Sequence, residues 1–316
     1  MKYMNNIIVF GSFVVDLMSR APHLPVPGET VKSQMFKMGP GGKGFNQGIA
    51  AHKSGGKVTM VTKLGNDAFA NVALDMLNEQ NMSTEFVFRT DEAPTGIALI
   101  MVDENTSENA IMVAAGACDT FNDEDISKIE PIVKSSEILL TQLETNMDAV
   151  EKVIDIAYKN GVKVILNPAP IQPIKDELLK KIDIITPNEV EAEILTGIKI
   201  SNTSDAHKAA KFFLDKGVKE VVITLGKNGV LAVTKQKQEL FKNYNVNVVD
   251  TTGAGDAFNG GFVTALAEGK DIFEACRFGN VVANLAVTKL GTSVAMPTRE
   301  EVDKFIEENL QKRSDI

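Results

Sequence analysis

The distribution of apolar residues along the chain predicts alternating strands and helices. Short β-rich apolar runs, typical of buried strands, are separated by longer stretches in which apolar residues recur at helical spacing. The predicted strands are Ile7–Phe10, Val58–Thr62, Ile138–Gln142, Val162–Leu166, Ile182–Thr186, Val221–Thr224 and Val246–Val249. The predicted helices include Asp67–Gln80, Met147–Lys159, Glu189–Thr196 and Asp205–Lys216. This alternation indicates an α/β fold with a mostly parallel central sheet flanked by helices.

Two early segments interrupt the alternation. Ala21–Phe36 is rich in proline, and the apolar runs Thr95–Asp103 and Asn109–Ala114 follow each other closely enough to form a β-hairpin. Strands outside the alternating pattern usually lie outside the main sheet. We therefore expect residues of about 12–37 and 95–115 to form a small β-sheet lid over its binding edge. The chain has no internal repeat or linker, which predicts one domain over residues 1–316.

Composition narrows the class of protein. Hydrophobic residues make up 44% and charged residues 24% of the 316 residues, and the mean hydropathy is -0.02, as in ordinary globular proteins. The net charge of -9 argues against nucleic acid or an anionic membrane as a partner, because both require excess Lys and Arg. The two cysteines show no CxxC spacing, which argues against a zinc site and favours a reducing compartment. We therefore expect a cytoplasmic protein.

The segment Asp250–Phe258 (DTTGAGDAF) carries the strongest chemical signal. It follows a predicted strand and opens the predicted helix Asp256–Glu268. Glycines at such a turn let the backbone approach a ligand, and free N–H groups at a helix start attract phosphate. An aspartate beside this anion hole suits proton transfer from an attacking hydroxyl. We predict that Gly253, Ala254 and Gly255 form the anion hole and that Asp256 is the general base.

Two other interpretations compete for this segment. Asp256 could merely cap the helix, where acidic residues are common. The glycines could instead belong to a dinucleotide fingerprint, but Phe258 stands where its third glycine belongs, and no acidic residue follows a second strand about 20 positions later. This disfavours an NAD enzyme.

A second glycine-rich segment, Gly39–Gln47 (GPGGKGFNQ), leads into a helix of small residues. It is not a Walker loop, because Lys37 stands where the first glycine of that pattern belongs and Gly44 where Ser or Thr follows the lysine. A tight turn here would bring backbone N–H groups, the Lys43 ammonium and the Asn46 amide against a polyhydroxyl ligand. The alternative is a flexible surface loop with a solvated lysine.

Together these segments resemble the ribokinase family of sugar kinases. Gly41–Gln47 and Asp250–Phe258 match the two signatures of that family, and the similarity extends over nearly the whole chain. Six shorter matches occur in the family order: Gly11–Ser12, Pro27–Thr30, Gln142–Glu144, Asn167–Pro170, Thr186–Glu189 and Thr224–Gly226. The resemblance implies a three-layer α/β fold and transfer of the γ-phosphoryl group of ATP to the terminal hydroxyl of a small sugar. It also implies Mg²⁺, K⁺ and a homodimer.

The resemblance assigns roles to individual residues. The sugar would be held near Val14, Asp16, Gly42, Lys43, Gly44, Asn46, Glu144 and Asp256. Nucleotide contacts would involve Asn188, Thr224, Gly226, Lys227, Asn228, Gly229, Gly255 and Asn280. Glu191 would organise Mg²⁺ through water. Potassium would be held mostly by main-chain oxygens around Asp250, Thr252, Ala286, Lys289, Gly291 and Ala295.

One departure from the family bears on the substrate. Ribose-specific members usually have Asn two residues before the aspartate that follows the first strand, whereas this chain has Val14 two residues before Asp16. An apolar side chain tolerates a missing hydroxyl better than an amide does. We expect ribose as the substrate, with 2-deoxyribose as the alternative. A non-catalytic sugar or nucleotide sensor and an adenosine or fructose-phosphate kinase are further alternatives.

Overall fold

The computed structural model describes residues 6–106 and 108–314. Its strands are β1 Asn6–Phe10, β2 Val14–Ala21, β3 Met35–Gly41, β4 Lys57–Gly65, β5 Val87–Thr90, β6 Thr95–Asp103, β7 Asn109–Gly116, β8 Ile138–Thr141, β9 Lys163–Leu166, β10 Ile184–Ile185, β11 Glu220–Thr224, β12 Val230–Val233 and β13 Gln238–Phe241. Its helices are α1 Lys43–Lys53, α2 Ala70–Glu79, α3 Asp123–Ser135, α4 Met147–Lys159, α5 Asp176–Leu179, α6 Glu189–Thr196, α7 Thr203–Asp215, α8 Ala254–Ala267, α9 Ile272–Ala286 and α10 Arg299–Ser314.

The central sheet contains nine strands in the order β13-β12-β11-β10-β9-β8-β1-β4-β5. The strands from β11 to β5 in this order run parallel, and β12 and β13 add an antiparallel hairpin at one edge. The chain moves outward from β1 to β4 and β5, then returns to β8 and moves outward on the other side. The strand order therefore reverses between β1 and β8. In open α/β sheets, ligands bind beyond the carboxyl ends of the strands at such a reversal.

Apolar layers cover both faces of the sheet. Because successive side chains of a strand point to opposite faces, Ile7 and Val9 of β1 join one layer while Ile8 and Phe10 join the other. The first layer includes α1, α2, α8, α9 and α10, and the second includes α3 to α7. The predicted α/β fold with helices on both faces is confirmed. Among the described residues, no helix combines the length and the apolar character needed to cross a bilayer.

Helix α8 approaches two neighbouring helices unusually closely. A methyl group added at Gly260 would lie 2.4 Å from the Ala50 Cβ atom of α1, and one at Gly261 would lie 2.6 Å from Val282 Cγ2 of α9. Only glycine allows these approaches. They bring the first turns of α1 and α8 together, so that side chains of one helix reach those of the other.

A separate four-stranded sheet has the order β3-β2-β6-β7. Strand β2 pairs parallel with β6, and β6 forms the predicted antiparallel hairpin with β7. A small separate sheet is present, as the sequence predicts, but Ala21–Phe36 mainly connects its strands β2 and β3. We call this sheet the lid sheet. Its predicted function as a lid remains a prediction.

The predicted strand Val246–Val249 is wrong. Residues 242–249 form an irregular segment, and the side chains of Val248 and Val249 are more than half exposed. The N–H groups of Val249 and Asp250 both donate to the Val287 carbonyl, at 2.8 and 3.2 Å, instead of forming a strand ladder. Val246–Val249 therefore belongs to the irregular connection between β13 and α8 and is not a strand of the central sheet.

The pair formed by Lys63 of β4 and Asp125 of α3 is buried. Lys63 Nζ lies 2.7 Å from Asp125 Oδ2, and their side chains are 3% and 10% exposed. Lys63 Nζ also donates to the Thr120 carbonyl at 2.7 Å, and Asp125 Oδ2 accepts the Asn122 N–H at 3.2 Å. This pair joins α3 to the sheet beneath the lid sheet.

Replacing Asp125 with alanine should lower the free energy of unfolding by about 3–5 kcal/mol, because Lys63 would lose the only buried carboxylate that the described residues provide for it. Urea denaturation of the ligand-free protein measures this. Asp215→Ala is the matched control, because it removes an ion pair in which the side chains of Lys211 and Asp215 are 72% and 63% exposed. We expect almost no change in its free energy of unfolding. Similar midpoints for the two variants would contradict the structural role of the Lys63 pair.

Candidate active site

Several of the predicted site residues meet at the carboxyl ends of the parallel strands. Ser12 follows β1, and Glu144 follows β8, the two strands between which the strand order reverses. The Ser12 hydroxyl donates to Glu144 Oε2, and the same oxygen accepts the Lys43 N–H at 2.8 Å. Glu144 therefore ties the ends of β1 and β8 to the start of α1. The crevice at this reversal is the candidate active site.

Glycines shape the turn before α1. Gly42 is the N-cap residue of α1 with φ 90°, a conformation that favours glycine. A methyl group there would lie 2.9 Å from backbone atoms of Ser12, Phe13 and Val14. A methyl group at Gly44 would lie 2.6 Å from the Gly11 backbone. The predicted tight turn is present, and these glycines let it pack closely against the segment that follows β1.

Asp16 lies on β2 of the lid sheet and faces the same crevice. Thr292 Oγ1 donates to Asp16 Oδ2 at 3.3 Å and to the Pro40 carbonyl at 2.9 Å. Burial raises the pKa of Asp16 to about 6, the Thr292 bond partly offsets this, and the carboxylates of Glu144 and Asp256 add to the rise. Asp16, Glu144 and Asp256 are therefore close enough to repel each other.

Asp256 lies in the first turn of α8 and is 9% exposed. Its Oδ2 accepts a hydrogen bond from Asn46 Nδ2 at 3.0 Å, and its Oδ1 accepts one from Gln47 Nε2 at 2.9 Å. Both donors belong to α1, and the glycine contacts between α1 and α8 make this reach possible. Ser293 Oγ donates to Asn46 Oδ1 at 2.5 Å, which orients the Asn46 amide toward Asp256.

The charges in the crevice are strongly coupled. Burial raises the pKa of Asp256 above its usual range, and Lys43 and the two amide donors only partly offset this. Burial alone would lower the pKa of Lys43, but the carboxylates of Asp256, Glu144 and Glu191 outweigh it and raise this pKa. Lys43 is therefore a cation held among carboxylates, available to an anionic ligand.

The start of α8 forms one wall of a pocket of about 170 Å³. Gly253, the N-cap residue, has φ 75°, and Gly255 faces open space, since a methyl group there would meet no atom within 4 Å. The first N–H groups of a helix have no partner within it and favour an anion. The pocket is lined by Lys43, Asn167, Ala169, Thr186, Asn188, Glu191, Thr224, Thr251, Gly253, Ala254, Gly255, Asp256 and Asn259.

Two of the predicted nucleotide and magnesium residues form a capping box. Asn188 is the N-cap residue of α6: its Oδ1 accepts the Glu191 N–H at 2.8 Å, and Glu191 Oε2 accepts the Asn188 N–H at 2.8 Å. Burial raises the pKa of Glu191, with the Asn188 bond and Lys43 as smaller opposing effects. Asn188 and Glu191 therefore cap α6 and also line the pocket.

The remaining predicted nucleotide residues extend away from this pocket. Residues 226–228 form a short 3₁₀ turn after β11, in which Lys227 and Asn228 are exposed. Gly229 has φ 100°, and a methyl group there would lie 1.9 Å from the Phe241 carbonyl oxygen. Asn280 of α9 is buried and donates to the Lys242 carbonyl at 3.0 Å, in a second depression lined by residues 239–244. The 242–243 segment separates Asn280 from Gly226, whose carbonyl accepts the Asn243 amide.

Three of the predicted potassium residues, Asp250, Thr252 and Gly291, lie together beside the start of α8. Asp250 accepts the Thr252 N–H at 2.9 Å through Oδ1 and the Gly291 N–H at 3.0 Å through Oδ2. Lys289 instead turns its ammonium toward Glu301, at 2.7 Å. Across residues 6–106 and 108–314, no group of three His, Cys, Asp or Glu side chains could hold a metal ion. Any cation here would therefore depend mainly on backbone oxygens.

Several polar side chains around Asp256 and Asp16 are not among the predicted site residues. Gln47 lies within a recognised motif but was assigned no role, and Gln142, Asn167, Thr292 and Ser293 were not assigned either. Gln47 Nε2 also donates to Asn167 Oδ1 at 3.0 Å, and Gln142 Nε2 donates to Gln47 Oε1 at 2.7 Å. The only available signal was the presence of Gln47, Gln142 and Asn167 in matched segments.

A buried carboxylate beside a helix N-terminus, at the reversal point of a parallel sheet, defines an α/β protein whose ligand site suits a phosphate. The profile of the pfkB family carbohydrate kinases matches residues 4–299, and the chain belongs to this family. A ribokinase of Haemophilus influenzae is 44% identical over 95% of this chain and 98% of its own length. A deoxyribokinase of Salmonella typhi is 35% identical over 96% of this chain and 99% of its own length. The structure of Arabidopsis thaliana ribokinase complexed with ribose and ATP matches with a TM-score of 0.87 at 32% identity, over 96% of this chain and 98% of that one.

Replacing Asp16 with asparagine should stabilise the ligand-free protein at pH 7.5 by about 1–2 kcal/mol. The pKa of Asp16 is about 6 in the folded protein, well above the ordinary aspartate value of 3.8, so the folded protein holds this proton more tightly. Ionisation therefore destabilises the fold above about pH 6, and the destabilisation disappears as the pH falls toward 4. Denaturation at pH 7.5 and pH 4.5 measures the difference. A stabilisation equal at both pH values would contradict the raised pKa.

Proposed function

We propose that this protein is an ATP-dependent kinase that phosphorylates the terminal hydroxyl of D-ribose to give D-ribose 5-phosphate. The observation that carries the proposal is the position of Asp256. Its carboxylate lies between the lid side of the crevice, where Asp16 and Glu144 would accept hydrogen bonds from sugar hydroxyls, and the pocket at the start of α8, which suits a phosphate. The identities with ribokinases support the same substrate class.

In the proposed mechanism, Asp256 orients the terminal hydroxyl of the sugar and accepts its proton. A carboxylate is a weak base for an alcohol, but phosphoryl transfer is largely dissociative, so the proton leaves late and orientation matters more than basicity. The N–H groups of Gly253, Ala254 and Gly255 would stabilise charge that develops on the phosphoryl oxygens. Lys43, which also lines the pocket, would face the same charge.

The nucleotide and cation assignments belong to this proposal. We propose that Asn188, Thr224 and the 226–229 turn contact ATP, with Asn280 at the far end. Each carboxylate oxygen of Glu191 accepts one hydrogen bond from Asn188 and keeps a further lone pair. These lone pairs suit water-mediated contact with Mg²⁺. Mg²⁺ would neutralise phosphate charge. We also propose that a monovalent cation such as K⁺ binds near Asp250 and Gly291, where it would reinforce the anion hole from behind.

2-Deoxyribose is the second candidate substrate. Val14, at the start of β2, is 2% exposed and has no polar side-chain atom to offer a sugar hydroxyl. Its backbone lies against the Gly42 turn, which places it beside the predicted sugar-binding residues. A buried apolar side chain there would reject a sugar that lacks one hydroxyl less strongly than an amide would.

We further propose a homodimer formed through the lid sheet. Its strands β3, β6 and β7 expose Met35, Phe36, Met38, Leu99, Met101, Ile111, Met112 and Val113, with Phe36 66% and Met112 70% exposed. Apolar patches of this extent usually mark an interaction surface. We also propose a cytoplasmic location: the free, buried Cys118 and Cys276 fit a reducing compartment.

An ADP-release assay with ribose, 2-deoxyribose, fructose and adenosine, in the presence of ATP and Mg²⁺, tests the proposed function. We expect the highest kcat/KM with ribose or 2-deoxyribose. Asp256→Asn should lower kcat by at least about 100-fold and leave ATP affinity largely unchanged, because it removes the proton acceptor but not the anion hole. Absence of turnover with all four acceptors would overturn the proposal. A normal kcat for Asp256→Asn would remove the assigned role of that residue.

Light scattering on the purified protein tests the dimer. We expect twice the chain mass for the native protein and a shift toward monomer for Met112→Glu, because a charge buried without a partner would oppose association. Tyr158→Glu is the matched control: Tyr158 is 49% exposed on α4, outside the lid sheet, and should leave the mass unchanged. A monomeric native protein at micromolar concentration would contradict the proposal.

A further inference from the structure

The carboxylate of Asp256 is held on both oxygens by side-chain amides, but the two amides differ in their surroundings. Asn46, which bonds Oδ2, is among the residues predicted to contact the sugar. Gln47, which bonds Oδ1, is fully buried, whereas Asn46 is 4% exposed. A ligand can therefore compete for Asn46, whereas the Gln47 bond can persist through the reaction.

We propose that Gln47, oriented by Gln142, is a positioning residue that holds the Asp256 carboxylate in the orientation needed to accept the proton. This inference rests on the proposed kinase function and deepens it. Gln47 touches neither substrate. It acts through Asp256.

The hydrogen bonds around Gln47 allow one orientation of its amide. Its Nε2 donates to two acceptors, Asp256 Oδ1 at 2.9 Å and Asn167 Oδ1 at 3.0 Å. Asn167 is itself fixed, because its Nδ2 donates to the Thr186 carbonyl at 2.9 Å. If the Gln47 amide were reversed, its oxygen would face both acceptors in a buried site with no donor between them, which is costly.

Gln142 fixes the other end of the same amide. Gln142 Nε2 donates to Gln47 Oε1 at 2.7 Å, so the carbonyl end of Gln47 points toward β8 and the NH₂ end toward α8. Gln142 is 1% exposed, and its Oε1 finds no partner within residues 6–106 and 108–314. Its NH₂ group is therefore its principal polar contact, and that contact sets the direction of the Gln47 donor.

The orientation of the Asp256 carboxylate needs to be fixed because the neighbouring charged groups attract and repel it in different directions. The charged groups facing Asp256 are Lys43 on α1, Glu144 after β8, Glu191 on α6 and Asp16 on β2. Attraction to Lys43 and repulsion from the three carboxylates would otherwise set its rotamer. When orientation counts for more than basicity, a displacement of about 1 Å can cost about 100-fold in rate.

The test compares Gln47→Met and Gln142→Met with the double variant, in the full-length protein with ATP, Mg²⁺ and the best acceptor of the panel. Methionine is close to glutamine in shape but donates no such hydrogen bond. We expect Gln47→Met to lower kcat about 10- to 100-fold with the KM values for sugar and ATP changed less than threefold. Gln142→Met should lower kcat less, and the double variant should match Gln47→Met, because Gln142 acts through Gln47.

Gln47→Glu gives a readout that a purely structural role would not move. It places a second carboxyl group against Asp256, and two carboxylates at this distance cannot both ionise readily. The acidic limb of the kcat/KM profile should move to higher pH by at least about one unit. Thr264→Val is the control: Thr264 Oγ1 donates to the Ala51 carbonyl at 3.0 Å, another buried α1–α8 contact remote from Asp256. This variant should lower the melting temperature but keep kcat and the pH profile.

The outcomes separate the two proposals. A native protein inactive with every acceptor would overturn the proposed function. An active native protein whose Gln47→Met and Gln47→Glu variants keep the native kcat and pH profile would overturn the positioning role alone. Effects of Gln47→Met and Gln142→Met that multiply in the double variant would also overturn it. If Gln47→Met fails to fold, a normal kcat for folded Gln142→Met overturns the part assigned to Gln142, and the Gln47→Glu profile decides the rest.

Discussion

The burial of the Asp256 carboxylate is the constraint on which the rest of the site depends. A buried charge requires donors and a counter-charge, since its desolvation is otherwise too costly. Both side-chain donors come from the first turns of α1, and Lys43 begins the same helix. They reach Asp256 because Gly260 allows α1 and α8 to pack at a distance that no larger residue would permit. The glycines of the helix interior therefore serve the same carboxylate as the glycines of the turn.

The short segment Gly291–Ser293 links parts of the molecule that are distant in sequence. Gly291 bonds Asp250 behind the anion hole, Thr292 bonds Asp16 and Pro40 of the lid sheet, and Ser293 bonds Asn46 beside Asp256. The lid sheet, the proposed cation site and the proposed base are therefore joined through one segment. This arrangement gives a physical route by which a cation that touches no reacting atom could alter the position of the sugar and of the carboxylate.

Local patterns predicted most of the fold and the two glycine-rich turns, because strand length, helical spacing and glycine placement are local properties. The predicted strand Val246–Val249 is wrong for the same reason, because β-branched residues in an irregular segment have the local pattern of a strand. Only the strand order, which ends with β12 and β13 on that side, shows that this segment adds no strand to the sheet. The network behind Asp256 was beyond reach. Gln47 and Gln142 are 95 residues apart, and their pairing depends on the strand order at β1 and β8. The raised pKa of Asp16 likewise depends on contacts between the lid sheet and the central crevice.

The electrostatics of the crevice explain why its ligand should be rich in hydroxyl groups. Burial raises the pKa values of Asp16, Asp256 and Glu191 together, and Lys43 is the cation that opposes this for Asp256 and Glu191. The ligand-free crevice therefore holds more carboxylate than it can neutralise, at a cost in stability. Hydroxyl donors supply hydrogen bonds to the ionised form and relieve this cost without adding charge. A phosphate group carried by the sugar would add negative charge to a region that already holds several carboxylates. The same carboxylates therefore favour an uncharged sugar on the lid side of the crevice and a phosphate only at the start of α8.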